Sequence, residues 1–171
     1  VLANTNNFKD ALEQLQKLNS PTETTQRIYP RILYGRAVEL INDQQIAQAD
    51  NLLNQVFGVD YNESQLPFAN FWKGEIAFRT SQYDSAVYYL NIYMKNAGSY
   101  GEVNPTNARY TLGYSTLRQE DYSDALKYFE QITTTISPAS TAIQQDAYIR
   151  EADCYFMQKQ YSKALQMYDA V

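Results

Sequence analysis

The sequence predicts an all-α fold of stacked helix pairs, and three observations lead to that fold class. The segments DYSDALKYFEQI at 121–132 and QYSKALQMYDAV at 160–171 are near copies, placed 39 residues apart. Their apolar residues recur at spacings of three and four, which places them on one face of a helix. Glycine and proline number only 6 and 5 in 171 residues, which disfavours a β-chain built from tight turns.

The repeated segment occurs five times along the chain. Each copy has an aromatic or aliphatic leading residue, a small residue three positions later and a large residue four positions beyond that. The five copies are Phe8-Ala11-Leu15, Ile46-Ala49-Leu53, Tyr83-Ala86-Leu90, Tyr122-Ala125-Phe129 and Tyr161-Ala164-Tyr168. The leading residues are 38, 37, 39 and 39 positions apart, and such a period is typical of a helical repeat array.

A second helix is predicted upstream of each of the last four copies. Its centre is a small residue nine positions before the leading residue, namely Ala37, Gly74, Gly113 or Ala152. Three positions before it lies Tyr34, Phe71, Tyr110 or Ile149, and four positions after it Ile41, Phe78, Leu117 or Phe156. A small residue within an apolar stripe lets a neighbouring helix approach closely, so we expect tight helix pairs with the Tyr34 stripe buried.

Turn-rich segments separate the pairs: GVDYNESQLP at 58–67, KNAGSYGEVNP at 95–105 and SPAS at 137–140. Asn104-Pro105 and Ser140-Thr141 have the residue types that begin helices. Ser20-Pro21 is a third candidate, but Pro30 would then lie inside the helix, where proline is disfavoured. The sequence therefore leaves the start of that helix open.

The segment ARYTLGYSTLRQEDYSDALKYFEQI (108–132) resembles the tetratricopeptide (TPR) family, through Leu112-Gly113, Tyr122, Ala125 and Phe129. Residues 146–168 and 71–90 are similar, and residues 33–56 match more loosely. The resemblance implies a right-handed superhelix, an α-α solenoid of about four tandem repeats. We expect them at about 20–57, 65–95, 105–134 and 140–171, after a partial repeat at 1–19, as a single array within a longer protein.

The chain departs from the family pattern in two respects. The family's tryptophan near the start of the first helix is replaced by Leu33, Asn70, Arg109 and Tyr148. The spacing of 37–39 residues exceeds the family's usual 34, so either the loops between repeats or the first helices must be longer. Long repeats and surfaces rich in Tyr, Asn and Gln are similar to TPR proteins of bacterial cell envelopes. A periplasmic or outer-membrane-associated location is therefore expected, with the cytoplasm left open.

The resemblance also implies a function, because the first helices of TPR repeats line a concave groove that holds a protein or peptide partner. On the stripe beside Tyr34, the residues expected to face this groove are Arg31, Val38, Phe68, Trp72, Glu75, Arg79, Asn107, Tyr114, Arg118, Arg150, Asp153 and Met157. Aromatic and arginine side chains often carry binding energy at interfaces. The alternative is that Glu75 and Arg79 form a solvated pair and that Trp72 packs between repeats. Most of the 16 tyrosines are expected to be scaffold.

Other function classes are disfavoured. The net charge of −5 with no basic run disfavours nucleic-acid binding, and no apolar stretch approaches membrane-spanning length. The chain has no histidine, and its one cysteine, Cys154, has no partner for nucleophilic catalysis. Glu75 and Asp153 lie two repeats apart, roughly 20 Å at usual helix spacings, too far for a glycosidase pair. We expect no enzyme activity, metal or cofactor.

The sequence thus predicts a protein-interaction scaffold that presents a groove to a protein or peptide. Two alternatives stay open: a structural or regulatory arm of a larger envelope or signalling protein, and a carbohydrate-binding helical protein of the outer membrane. The apolar residues Leu165, Tyr168 and Val171 fall where a following repeat would cover them. We therefore also expect the isolated chain to associate end to end.

Overall fold

The computed structural model describes residues 7–133 and 140–170, and in this part of the chain it contains helices and no β-strand. The nine helices of this described part are α1 (Phe8–Gln16), α2 (Glu23–Asn42), α3 (Ile46–Gly58), α4 (Leu66–Arg79), α5 (Tyr83–Lys95), α6 (Pro105–Arg118), α7 (Tyr122–Glu130), α8 (Ala142–Met157) and α9 (Tyr161–Tyr168). Each helix packs against the next one along the chain. The predicted all-α solenoid of helix pairs is confirmed.

The repeated segment forms the second helix of each pair. Its five leading residues are the first residues of α1, α3, α5, α7 and α9. The small residue three positions later is buried in all five helices. Spacings of three and four therefore predicted both the register and the buried face of these helices.

A three-residue turn joins the two helices of each pair, and it has the same conformation in all four. The central residue has a positive φ of 59–62°, at Gln44, Ser81, Glu120 and Lys159. The following backbone N–H donates back into the first helix, as from Asp121 to the carbonyl of Thr116 at 3.0 Å. This is a Schellman ending, which is usually made with glycine.

Small residues hold the two helices of a pair in close contact, as the sequence predicted. A Cβ atom built on Gly74 of α4 would lie 2.5 Å from Leu90 Cγ of α5. A Cβ atom on Gly113 of α6 would lie 2.6 Å from the ring of Phe129 on α7. Both distances are below van der Waals contact, so a Cβ atom at either crossing would force the neighbouring side chain to shift.

The predicted helix starts are found at α6 and α8. The side chain of Asn104 accepts a hydrogen bond from the backbone of Asn107, and Pro105 is the first helical residue. Thr141 forms a capping box with Gln144. The sequence left the start of α2 undetermined. The structure places it at Glu23, after the capping residue Thr22, so Pro30 lies inside the helix. Positions 137–139 of the predicted SPAS loop and Val171 lie outside the described residues.

The turns within the helix pairs all have three residues. The long repeat spacing of 37–39 residues therefore comes from the connections between pairs and from the first helices. The connections between pairs run from 59 to 65, from 96 to 104 and from 131 to 141. The first helix α2 is also long, at 20 residues. The connection at 96–104 folds back on the array: Val103 is buried, and Gly98 accepts a short hydrogen bond from the Tyr93 hydroxyl.

Candidate partner-binding site

Two hollows lie along the face formed by the first helices α4, α6 and α8. The first has a volume of about 270 Å³ and lies between α4 and α6, and the second has a volume of about 400 Å³ and lies between α6 and α8. Tyr114 lines both of them. The predicted groove residues that line one or the other are Trp72, Glu75, Arg79, Asn107, Tyr114, Arg118, Arg150, Asp153 and Met157. We call this surface the first-helix face.

Trp72 contributes little accessible surface to the first hollow. Its side chain is only 4% exposed and packs edge-on against Phe71. Its indole N–H donates to the Tyr34 hydroxyl on α2 at 3.2 Å. Trp72 therefore packs at the boundary between successive first helices, as the alternative interpretation of the sequence has it, and its edge reaches the hollow.

Glu75 is bonded to the neighbouring repeat and not to its own helix. Its carboxylate accepts a hydrogen bond of 2.5 Å from the Thr111 hydroxyl on α6. Among the described residues no ion pair within 4.0 Å joins Glu75 to Arg79, so the predicted solvated pair is not formed. Burial raises the pKa of Glu75; the Thr111 bond and the charge of Arg79 oppose that shift, and Glu102 adds to it.

Tyr114 lies at the centre of a polar network that joins α6 to α8. The hydroxyls of Tyr114 and Tyr110 both donate to Oδ2 of Asp146, at 2.5 and 2.7 Å. Burial, and then the bond to Asp146, raises the pKa of Tyr114, so its hydroxyl stays protonated and donating. The two rings also meet edge to face, with centroids 4.9 Å apart. The network fixes the wall between the hollows.

Arg150 continues this network into the second hollow. Its Nη1 lies 2.5 Å from Oδ2 of Asp153, and its Nε lies 3.5 Å from Oδ1 of Asp146. The Tyr168 hydroxyl of α9 donates to the other oxygen of Asp153 at 2.6 Å. Arg150 is thus held between two carboxylates. The exposed residues of the second hollow are Arg118, Phe156 and Met157.

Three predicted residues lie outside the hollows. Arg31 is exposed on α2, and Val38 is half-buried on the same helix. Phe68 of α4 packs against the ring of Tyr34, with centroids 6.0 Å apart, and its ring lies beside Gly98 of the 96–104 connection. The structure therefore places the hollows toward α4, α6 and α8 and away from α2.

Several residues that line the first hollow were not among the predicted groove residues, and Glu102 and Tyr110 are two of them. Glu102 belongs to the 96–104 connection, where helical spacing gives no position for a side chain. Tyr110 belongs to the stripe that was expected to be buried, but it is half-buried and lines the hollow. The spacing of four between Tyr110 and Tyr114 could have predicted that Tyr110 lines the hollow, because residues four apart share a helix face.

Cys154 is fully buried beside the network, and burial raises the pKa of its thiol to about 12. The thiol is therefore protonated at neutral pH and fills space as a small apolar group. None of the helices in the described residues is long and apolar enough to cross a membrane. Within residues 7–133 and 140–170 no cluster of acidic or cysteine side chains is arranged to hold a metal ion.

Residues 116–171 match the sequence family of the tetratricopeptide repeat. This part of the chain carries the tetratricopeptide-repeat pattern. Solved structures of a similar fold superpose on nearly the whole chain. A structure of MamA from AMB-1 superposes with a TM-score of 0.64 and 14% identity, over 99% of this chain and 90% of that one. A putative kinesin light chain of Podosopora anserina, with nearly identical TPR-like repeats, gives 0.59 and 14%, over 99% and 87%.

At this identity the likeness to solved structures shows the fold, a TPR-type solenoid. A comparison with curated proteins finds no match. TPR arrays serve in general as protein-interaction scaffolds, and the match over residues 116–171 supports such a general role here.

Proposed function

We propose that the chain binds a protein or peptide partner along the first-helix face, across the two hollows that meet at Tyr114. The observation that carries this proposal is that the two hollows are adjacent. One residue, Tyr114, lines both, so an extended segment can occupy them in succession. The binding role involves no chemical step, and no catalysis is proposed.

The character of the face supports the proposal. Tyr114, Arg118 and Met157 belong to the residue types enriched at protein interfaces. The bonds from Tyr114 and Tyr110 to Asp146 hold the wall between the hollows in place before any partner arrives. A preformed surface loses less conformational entropy on binding than a mobile one, which favours affinity.

The test uses the chain as bait to capture a partner and then measures that partner's affinity for variants. Arg118→Ala with Met157→Ala removes two exposed side chains, so the fold should be retained. We expect the double variant to weaken binding by about 1–4 kcal/mol. Trp72→Ala is a poor probe, because truncating a buried aromatic residue costs about 3–5 kcal/mol of stability.

A matched control is Lys95→Ala with Lys127→Ala, which removes two exposed side chains from the second helices α5 and α7. This control should bind the partner as the parent does. Unchanged affinity in the Arg118 and Met157 variant, with its fold intact, would contradict the proposal. A purely structural arm would behave in that way.

We also propose that the chain self-associates through apolar residues of α8 and α9. Phe156, Met157, Tyr161, Leu165 and Tyr168 are exposed, Leu165 at 59% and Phe156 at 52%. A cluster of exposed apolar side chains favours association. Sedimentation should show a concentration-dependent dimer that Leu165→Glu weakens, with Lys127→Glu as the control. A monomer at every concentration would contradict this.

A further inference from the structure

The first hollow combines aromatic walls with a carboxylate. The rings of Phe78, Tyr110 and Tyr114 line it, and Phe78 lies 6.4 Å from Tyr114 between ring centroids. Glu75 of α4 lines the same hollow and accepts a hydrogen bond from Thr111 on the neighbouring first helix. Aromatic faces and a carboxylate are the two groups that attract an organic cation most strongly.

Glu75 forms no ion pair within 4.0 Å in the part of the chain that the structure describes, although the charge of Arg79 acts on it from the rim of the hollow. Its bonded neighbour there is the neutral hydroxyl of Thr111. Other half-buried carboxylates do have close cations: Asp50 pairs with Lys73 at 2.6 Å, and Asp153 pairs with Arg150 at 2.5 Å. A half-buried carboxylate without an ion-pair partner is incompletely compensated, so a cation that enters the hollow is stabilised there.

We propose that the first hollow binds the cationic side chain of an arginine or lysine in the partner, with Glu75 as its counter-ion. This inference rests on the proposed function and names the chemistry of the bound segment. The cation lies against the aromatic walls and forms its ion pair with the Glu75 oxygens, while Thr111 continues to donate to the same carboxylate.

The charges at the rim act in opposite directions. Arg79 and Glu102 both line the hollow, so one repels an incoming cation and the other attracts it. The chain as a whole has a net charge of −5, which favours the approach of a basic segment. An acidic side chain would instead bring a second negative charge to the half-buried Glu75, which is unfavourable.

The chain contains a single tryptophan, Trp72, and it lines this hollow. Its indole N–H signal therefore reports binding at one defined place. We would titrate the chain with N-acetyl-arginine methylamide and, in parallel, with the corresponding norleucine and glutamate compounds. Arginine should shift the indole signal with saturation, at a concentration at least fivefold lower than norleucine, and glutamate should not shift it.

Two variants with opposite expected effects make the test specific. Glu75→Gln keeps the shape of the side chain and an oxygen that accepts from Thr111, and it should weaken arginine binding at least tenfold. Arg79→Gln removes the repelling charge at the rim and should strengthen arginine binding two- to fivefold. Arg31→Gln, a change of the same kind outside the hollows, should leave the affinity as it is.

Equal affinities for arginine and norleucine, tighter binding of glutamate, or no loss in a folded Glu75→Gln chain would each overturn the proposal. If Glu75→Gln fails to fold, Arg79→Gln tests the proposal instead. Arginine binding that is weaker than or equal to that of the parent would then overturn the proposal. A captured partner that still loses affinity on substitution of Arg118 and Met157 would then show that the face binds by other chemistry. The proposed function would stand while the cation site would not.

Discussion

Gly113 on α6 faces Phe129 on α7 so closely that a Cβ atom at position 113 would lie 2.6 Å from the ring. Phe129 is completely buried, so its ring cannot move aside into solvent. The same relationship joins Gly74 to Leu90 in the preceding pair. A residue without a side chain thus determines how near the two helices of a repeat can approach.

We predict that Gly113→Ala lowers the free energy of unfolding by about 1–3 kcal/mol through overpacking, and that Gly113→Leu lowers it further. Ala152→Leu should act in the same way, because Ala152 is fully buried at the equivalent position. Gly58→Ala is the control, since nothing lies within 4 Å of its Cβ position. Urea denaturation measures all four. Equal midpoints for the parent and the Gly113 variants would show that this contact can relax at no cost.

The helix-pair turns offer a stabilising substitution. Glu120 has a φ of 62°, in the left-handed region, where a Cβ atom costs about 1–2 kcal/mol. Glu120→Gly removes that strain but gives the unfolded chain more freedom, so we expect a net gain of about 0.5–1 kcal/mol. Glu120→Ala removes the same carboxylate and keeps Cβ, so it should bring no such gain. Thermal unfolding of the two variants distinguishes them, and a gain from alanine alone would contradict the argument.

Glu151 predicts a dependence of stability on pH. It is buried between α7 and α8, where burial raises its pKa to about 7; Thr133 and Lys163 oppose the shift, and Glu130 adds to it. The folded chain therefore keeps a proton that the unfolded chain releases above about pH 4.5. The stability contributed by this proton is complete below that pH and is lost as the pH rises through 7.

The loss between pH 4.5 and 7 is on the order of 3 kcal/mol at most, at about 1.4 kcal/mol for each unit of pKa shift. Glu151→Gln should flatten the curve of unfolding free energy against pH across this window. Glu63→Gln, at an exposed carboxylate, should leave the curve as in the parent. An equally steep fall in the Glu151 variant would place the titrating group elsewhere.

The link between Tyr114 and Asp146 is expected to couple α6 to α8 energetically. Hydrogen bonds to a charged acceptor contribute about 1.5–3 kcal/mol. A double-mutant cycle with Tyr114→Phe and Asp146→Asn should therefore give a coupling energy of about 1–2 kcal/mol, reduced because Tyr110 shares the same oxygen. A control cycle with Tyr88→Phe, at an exposed tyrosine, in place of Tyr114→Phe should give no coupling energy. Additive effects at Tyr114 would mean that the bond does not hold the wall between the hollows.

Much of the fold was predictable because it follows from local spacing. Residues three and four apart share a helix face, which placed Ala125 and Phe129 in the core and gave the start of α7 at Tyr122. The short polar residues Asn104 and Thr141 cap helices because their side chains reach the free N–H groups of the first turn. Gly113 could be recognised as a point of close helix contact, because it is a small residue within an apolar stripe of the same spacing.

The remaining features depend on contacts between repeats, which spacing within one helix does not reveal. Glu75 bonds to Thr111 across the helix boundary and not to Arg79 one turn away. Trp72 is buried because Tyr34 of another repeat lies beside it. The positive φ of Glu120 gave no sequence signal either, because the position is not occupied by glycine or asparagine.

The central claim, that partners bind on the first-helix face, is tested most directly by hydrogen–deuterium exchange of the chain with and without a captured partner. We predict that the partner slows exchange in residues 107–118 of α6 and 146–157 of α8, and leaves exchange in α5 and α7 unchanged. Slower exchange confined to the second helices α5 and α7, with α6 and α8 unaffected, would contradict the account.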